Sequence, residues 1–361
     1  GAQPGWLDGH KVLASLRWTG GDTTHFAGSY ADACAAEPGN AALWVAWFAA
    51  VAQTRDWSAS LAILEQAERR LGATPAILAA RLFAAVESAE GEEDADGLLA
   101  ATAHIQGDTI ALCRIRHALR RHRLDQAQAV IAPLLDGTSA PLFWPYQSLV
   151  WRLLGDPRHQ WLDRPDDLIQ SVESGLSSAE LGELAEVLRA LHTMEQPYPE
   201  QTVRGGTQTD RSVLLRHEPI LQRARVAWME AIRGLIARLP APEEGHPLLS
   251  RPRSHLLLGG SWSVRLAAEG SNVPHTHPMG WLSSSLYVAI PDEAQRGPAP
   301  AGHIVFGAPP PELGLDLPAY RTIAPQPGMV ATFPSTMWHA VAPFAAGERL
   351  MIALDIRPPN Y

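Results

Sequence analysis

The sequence predicts an α+β protein, with an all-α region followed by an antiparallel β sandwich or barrel. Two observations lead to this prediction. Apolar residues recur at helical spacing up to about residue 190, and short β-like runs alternate with Pro/Gly turns from Ser254 onward. The chain has 361 residues, which suits two domains, and we place them at residues 1–195 and 196–361.

Composition and charge exclude several classes of protein. Hydrophobic residues make up 46% of the chain and charged residues 19%, which argues against a disordered or coiled-coil protein. The formal net charge of −9 makes nucleic acid and anionic membranes unlikely partners, and we expect neither. The two cysteines, Cys34 and Cys113, are too few for a disulfide framework or a cysteine-rich zinc site. The longest apolar run, 43–52, is far short of a membrane span, and no signal-like pattern is visible, so we expect a cytoplasmic bacterial protein.

Polar segments interrupt the helical half at regular intervals. They lie at 53–56, 92–94, 121–125 and 155–157, and the first divides the run Ala41–Leu71 into two predicted helices. Their spacing of about 31–38 residues is close to the ~34 of tetratricopeptide repeats. The full signature of that repeat is missing, so we predict a degenerate helical-repeat region, with an ordinary helical bundle as the alternative.

The second half begins with a change of pattern. A Pro/Gly/Thr-rich segment from Gln196 to Thr209 ends the helical periodicity and marks the predicted boundary. One amphipathic helix is predicted at about 219–239, with Pro219 in its first turn and Pro240 after its end. From Ser254, about seven or eight short strands fit into the remaining chain, including HLLLGGSWSVRLA, WLSSSLYVAI, HIVFG, MVATFPS, WHAVAPF and RLMIALDI.

Three histidines and one arginine carry the chemistry of the strand-rich half. His275 and His277 form an H-x-H pair, and Val273-Pro274 favours an extended backbone there, so both imidazoles can face one point. His339, at the start of another predicted strand, could complete a set of ligands for Fe, Zn, Cu or Ni. Arg349 follows ten residues later and offers a fixed fork for a carboxylate. In a chain with 14 histidines, an accidental H-x-H pair is the alternative.

The strand-rich half also resembles a known family. Three stretches are similar to 2-oxoglutarate/Fe(II) oxygenases that join a tetratricopeptide-like helical region to a double-stranded β-helix of the jelly-roll or cupin type. They are NVPHTHPMGWLSSSLYVAIP, GHIVFGAPP and PQPGMVATFPSTMWHAVAPFAAGERLMIALDI. The resemblance is clear over residues 204–358. In the helical half it extends only to the general helical character of the sequence. It implies Fe(II) and 2-oxoglutarate as cofactors and O₂ as co-substrate.

The resemblance also implies roles for individual residues. The iron would be held by His275, His277 and His339, and Arg349 would bind the distal carboxylate of 2-oxoglutarate. The strand after the first motif would assist at the cofactor through Tyr287 and Ser284.

One departure from the usual iron site leaves alternatives open. The common facial triad contains two histidines and one carboxylate, but the position two residues after His275 is His277. Either three imidazoles bind the iron, or His339 and one histidine of the pair bind it and water fills the gap. Asp355 could serve as a ligand instead, although an inward structural role is favoured.

Candidate substrate-contacting residues lie on both sides of the motif. The stretch RGGTQT contributes Arg204 and Gln208, and SWSVRL contributes Arg265. Trp281 and Trp338 flank the motif histidines, where core packing is the alternative role.

These observations lead to three hypotheses about function. The first is a dioxygenase that hydroxylates an unactivated C–H bond of an Asp/Asn-like side chain in a peptide or protein, with succinate and CO₂ as co-products. Stacked helices, which form grooves for extended chains, favour it. The second is an oxygenase of a small metabolite or natural product, whose helices serve for homodimerisation or as a lid. The third is a non-catalytic cupin-like metal-binding module, which has no need of a carboxylate-binding Arg349.

Overall fold

A computed structural model describes residues 3–88 and 92–357 of the chain. Most of the predicted α+β pattern is present, with helices in the first half and an antiparallel sheet in the second. The helices are α1 Leu7–Thr19, α2 Gly28–Ala36, α3 Ala41–Ala52, α4 Trp57–Leu71, α5 Pro75–Ser88, α6 Glu92–Ala101, α7 Asp108–Arg120, α8 Leu124–Ile131, α9 Ala140–Leu154, α10 Arg158–Asp163, α11 Pro165–Leu168, α12 Ser178–Leu191, α13 Pro219–Ala237 and α14 Glu293–Arg296. The strands are β1 Gln170–Glu173, β2 Val203–Gln208, β3 Leu257–His275, β4 Leu282–Ala289, β5 Ile304–Phe306, β6 Arg321–Ile323, β7 Met329–Pro334, β8 His339–Val341 and β9 Arg349–Arg357.

Three of the four predicted interruptions of the helical half are confirmed. The segments 53–56 and 155–157 each lie between two helices, and 121–125 spans the junction of α7 and α8, its last two residues being the first two of α8. At the first junction, Asp56 caps α4 by accepting a hydrogen bond of 2.9 Å from the backbone N–H of Ala59. The interruption predicted at 92–94 is wrong, because α6 begins at Glu92; residues 89–91 lie outside the described part of the chain.

The contacts divide the chain into two compact units. The first contains residues 1–133, 194–201 and 311–315, and the second contains 134–193, 202–310 and 316–361. In the first unit, α2 to α5 enclose an apolar core around Leu43, Phe48 and Leu64. The predicted division at residue 195 stays a prediction of domain organisation; the contacts group residues 134–193 with the sheet instead.

The second unit is built on a curled antiparallel sheet. The strand order is β1-β7-β4-β9-β3-β8-β5-β6, and β2 also pairs with β3. The long strand β3 pairs with β9 along Leu257–Leu266 and then with β8 at Asn272 and His275. Because β3 changes partner along its length, the sheet curls, and the end of β3 is brought beside the start of β8.

The two faces of β4 show how the sheet positions a site. Its buried Leu286 belongs to the apolar core that also contains Trp228 of α13 and Leu354 of β9. Tyr287, the next residue, belongs to a different cluster with Val264 of β3 and others inside the curl. The alternation of side chains along a strand therefore separates a helix-covered face from an interior face.

Several elements differ from the sequence expectation. The helix predicted at 219–239 is α13, which ends at Ala237. The short strands β1, β2 and β6 were not predicted, and β1 lies in the half read as entirely helical. Within the described residues, none of the helices has the length and apolar character needed to cross a membrane.

Candidate active site

Three histidines converge inside the curled sheet. His275 ends β3 and pairs in register with His339, which begins β8, while His277 lies in the turn that follows β3. The ring centroids are 4.2 Å apart for His275 and His339, 5.0 Å for His275 and His277, and 5.1 Å for His277 and His339. One ring nitrogen of each histidine lies within 4.8 Å of the other two. The sequence prediction that these three imidazoles share a site agrees with this arrangement.

Each imidazole is oriented through its Nδ1 atom. His275 Nδ1 donates to the carbonyl oxygen of Val273 at 2.8 Å, and His339 Nδ1 donates to that of Met337 at 2.9 Å. A carbonyl oxygen can only accept, so the proton is on Nδ1 and the lone pair is on Nε2. His277 Nδ1 faces the carboxylate of Asp355 at 2.8 and 3.0 Å. The three Nε2 atoms are therefore left to bind a metal ion.

Burial keeps two of these rings in the metal-binding form. Burial, together with a smaller effect of the neighbouring His277, lowers the pKa of His275 to about 3. Burial also holds the pKa of His339 well below its ordinary value, with added effects of His275 and His277. Only a neutral imidazole coordinates a metal, so both side chains are ready to bind one at neutral pH.

A buried cation lies in the same cavity as the histidines. Arg349 has no exposed surface and lines this cavity. Its Nε donates to the carbonyl oxygen of Gly302 at 3.3 Å and its Nη1 contacts Met351 Sδ at 3.1 Å, but its Nη2 has no hydrogen-bond partner within the described chain. The buried hydroxyl of Tyr287 also has none there, and the guanidinium carbon of Arg349 lies 5.1 Å from the Tyr287 ring centroid.

These orphaned donors fit an anionic ligand. A buried cation without a paired anion is costly, and so is a buried hydroxyl without a partner. Burial raises the pKa of Tyr287, although Arg349 opposes this, so the phenol remains a donor. A carboxylate bound here would satisfy both groups, while the three imidazoles in the same cavity suit Fe(II).

A comparison with protein families also indicates a site for Fe(II) and a carboxylate ligand. Residues 260–355 match the family model described as "Putative 2OG-Fe(II) oxygenase". Residues 260–355 therefore form a 2-oxoglutarate- and Fe(II)-dependent oxygenase domain. The matched segment contains the histidine cluster, Tyr287 and Arg349. The oxygenase domain therefore uses Fe(II) and 2-oxoglutarate as cofactors.

Several solved structures are similar to this chain at low identity. The viral collagen prolyl hydroxylase of Paramecium Bursaria Chlorella virus-1, in complex with 2OG, is 15% identical, with 53% of this chain and 97% of that chain covered and a TM-score of 0.36. The Pseudomonas putida prolyl-4-hydroxylase is 15% identical, with coverages of 53% and 93% and a TM-score of 0.35. HygX from Streptomyces hygroscopicus, with nickel and 2-oxoglutarate bound, is 10% identical, with coverages of 54% and 85% and a TM-score of 0.36. These scores are too low to carry an argument about function. No curated protein matches the sequence significantly.

Ser284 is the one predicted cofactor residue whose side chain is already engaged elsewhere. It lines the cavity of the oxygenase domain, but its hydroxyl donates to the carbonyl oxygen of Ala331 at 2.8 Å and accepts from Trp228 Nε1 at 2.9 Å. Its contact with α13 is on the helix-covered face of β4. Ser283, the neighbouring residue, donates to Asp355 Oδ1 at 2.7 Å, and its Oγ lies 3.4 Å from Nδ1 of His277.

The predicted substrate residues lie around the oxygenase cavity rather than in its lining. Arg265 pairs with Glu348 at 2.7 Å and is partly exposed. Arg204 donates to its own neighbour, the carbonyl oxygen of Val203, at 2.7 Å, and Gln208 stands opposite Val264 in the β2–β3 pairing.

Both predicted tryptophans are buried and hydrogen-bonded to backbone. Trp281 Nε1 donates to the carbonyl oxygen of Leu248 at 3.0 Å, and Trp338 Nε1 donates to that of Pro145 at 3.1 Å. Neither tryptophan lines the cavity of the histidines, which fits the packing alternative.

Trp262 and Asn272 are among the lining residues of the oxygenase cavity that sequence reasoning missed. Trp262 lines the cavity with its ring centroid 5.5 Å from that of His277, and Asn272 lines it beside the register shift of β3 between Asn272 and His275. The β-strand period in SWSVRL places Trp262 on the same face as Val264 and on the face opposite Arg265, so the expectation that Arg265 faces the cavity excluded Trp262. No comparable signal marks Asn272.

Proposed function

We propose that this oxygenase hydroxylates an unactivated C–H bond, with an Asp/Asn-like side chain of a peptide or protein as the substrate. The observation that carries the reaction class is the presence of three inward-facing imidazoles and the unpaired Arg349 Nη2 in one cavity. When bound, Fe(II) and 2-oxoglutarate activate O₂, and succinate and CO₂ are released as co-products.

The roles of the chain's own residues follow from their contacts. His275, His277 and His339 would hold the iron through Nε2, because Nδ1 of each ring is engaged. Arg349 would bind the distal carboxylate of 2-oxoglutarate with its free Nη2, and Tyr287 would donate to the same group. These contacts orient the cosubstrate and keep water from the carboxylate.

The peptide substrate is supported by the pairing of a helical unit with a catalytic domain. Helical arrays commonly bind extended chains along a groove. In line with this, we infer that the helical region is a degenerate tetratricopeptide-like array and that the curled sheet is a double-stranded β-helix. Both inferences are more specific than the α+β architecture described above.

Succinate release is the direct test. The purified chain is assayed with Fe(II) and 2-oxoglutarate, with and without an Asp- and Asn-containing peptide library, and mass spectrometry detects addition of one oxygen atom. His339→Ala and Arg349→Ala should abolish turnover, whereas Arg265→Ala, a change outside the cavity, should leave succinate release without peptide unchanged. Wild-type turnover in both cavity variants would contradict the reaction class. If small metabolites stimulate succinate release and none of the peptides does, the substrate is a small metabolite rather than a peptide or protein.

A further inference from the structure

One histidine of the cluster differs from the other two in what holds it. His275 and His339 donate from Nδ1 to neutral backbone carbonyls, but His277 donates to the carboxylate of Asp355. Asp355 lies on β9, opposite Ser283 of β4 in the register of the sheet. Both the His277 and the Asp355 side chains are 17% exposed, so this contact is largely shielded from water.

The carboxylate of Asp355 is also fixed from its other side. Its Oδ1 accepts a hydrogen bond of 2.7 Å from Ser283 Oγ, and Ser283 Oγ lies 2.9 Å from Ser335 Oγ. The backbone N–H of His277 donates to the carbonyl oxygen of Ser335 at 2.7 Å. The network therefore holds His277 at its backbone and at its ring.

Among residues 3–88 and 92–357, the carboxylate of Asp355 forms no ion pair with a lysine or an arginine. Its one ion-pair partner within those residues is His277. The carboxylate does not take part in the set of converging ligand atoms, which consists of the three histidines. Its contact is with Nδ1, the ring nitrogen that the metal does not use.

The usual iron site of this chemistry contains one carboxylate ligand, whose charge three imidazoles do not provide. We propose that Asp355 is a positioning residue that supplies this charge through His277, by fixing the ring and raising the basicity of its Nε2. A carboxylate hydrogen-bonded to a metal-binding histidine does both. The inference rests on the proposed function, since it takes the histidine cluster as the metal site.

The test measures metal affinity of the full chain, without turnover. Apoprotein is titrated anaerobically with Co(II) against a competing chelator, and the ligand-field absorption of bound Co(II) is recorded. Asp355→Asn should weaken binding about 10–100-fold and alter the absorption. Asp355→Glu should restore most of the affinity, and Ser283→Ala, which keeps the charge, should change it less than about threefold.

A double-mutant cycle separates action through His277 from a general structural role. His277→Ala alone should weaken Co(II) binding, and adding Asp355→Asn to it should cost little more. Thermal unfolding of each apoprotein reports folding, and Asp355→Ser provides a second charge-removing variant. Failure of both variants to fold would overturn the positioning role in favour of a structural one.

The remaining outcomes distinguish the inference from the proposed function. If wild type binds Co(II) and Asp355→Asn binds it equally well, the role of Asp355 is overturned and the proposed function stands. The same conclusion follows if Asp355→Asn lowers the affinity for Co(II) as much in the His277→Ala background as it does in the wild-type background. If wild type binds neither Co(II) nor Fe(II), the histidine cluster is not a metal site and the proposed function fails with it.

Discussion

The guanidinium of Arg349 lies over the ring of Tyr287, 5.1 Å from its centroid, and both side chains are fully buried. Each presents a donor without a partner in the described structure, Nη2 in one case and the phenolic hydroxyl in the other. The pair therefore forms a preorganised site for an anion, and the two residues make separable predictions.

Arg349→Lys should raise the KM for 2-oxoglutarate by roughly 30-fold or more. A lysine keeps the charge but loses the planar fork, and disruption of a buried charged contact costs about 2–5 kcal/mol. Initial rates of succinate formation at varied 2-oxoglutarate provide the measurement. Arg265→Lys is the matched control, because its guanidinium pairs with Glu348 outside the cavity. An unchanged KM in Arg349→Lys would remove the carboxylate-binding role.

Tyr287→Phe should have opposite effects on binding and on stability. It removes a donor to the bound carboxylate, so we expect weaker 2-oxoglutarate binding by about 1.5–3 kcal/mol, the range for hydrogen bonds to charged groups. In the apoprotein it removes a buried hydroxyl without a partner, so thermal stability should be unchanged or higher. Calorimetric titration and thermal melts test the two halves. A destabilised apoprotein would mean that the hydroxyl has a structural partner.

Periodicity predicted the elements whose signal is local. The two helices of Ala41–Leu71 and the strands β4, β7 and β9 follow directly from apolar spacing over eight or more residues, or from compact β-branched runs. The four residues of β1 and the three of β6 are too short for such a signal. β1 exists because it pairs with β7, about 160 residues later in the chain, which no local pattern can indicate.

The part of the site that was predictable is the part marked by the spacing of its residues along the chain. The H-x-H pair, His339 and Arg349 stand out by sequence alone, since strand geometry brings such residues to one side. The contact between His277 and Asp355 was not predictable, because it depends on the register that places Asp355 opposite Ser283. A shift of one residue in that register would turn Asp355 to the other face.

Gly280→Ala should destabilise the protein by about 1–3 kcal/mol, the usual cost of overpacking. A Cβ at Gly280 would lie 2.4 Å from Ser335 Oγ and 2.9 Å from Ser335 Cβ, within the network that holds Asp355. Urea unfolding measures the change. Gly182→Ala in α12 is the control: its Cβ would meet nothing within 4 Å, and it should stabilise the protein by about 0.5–1 kcal/mol. Equal changes in the free energy of unfolding for the two substitutions would show that the Ser335 side chain moves aside without destabilising the protein.

His192 should make the protein less stable as the pH falls. Its Nδ1 lies 2.7 Å from Thr207 Oγ1 and its Nε2 lies 2.9 Å from Ser263 Oγ. Burial, together with a smaller effect of Arg265, lowers the pKa of His192 to about 4, so the folded state favours the neutral ring.

The sign and the pH window follow from the pKa of His192. The unfolded chain, with an ordinary histidine pKa near 6.5, binds the proton first, so stability contributed by His192 is present above pH ~6.5 and is lost as the pH falls towards ~4. The measurement is urea unfolding of wild type and His192→Asn at several pH values from 4 to 8. The stability advantage of wild type should shrink below pH ~6.5. Thr207→Val, which removes a partner but keeps the titrating ring, should retain the acid-dependent loss. A difference between wild type and His192→Asn that is constant over this range would show that His192 does not titrate differently in the two states.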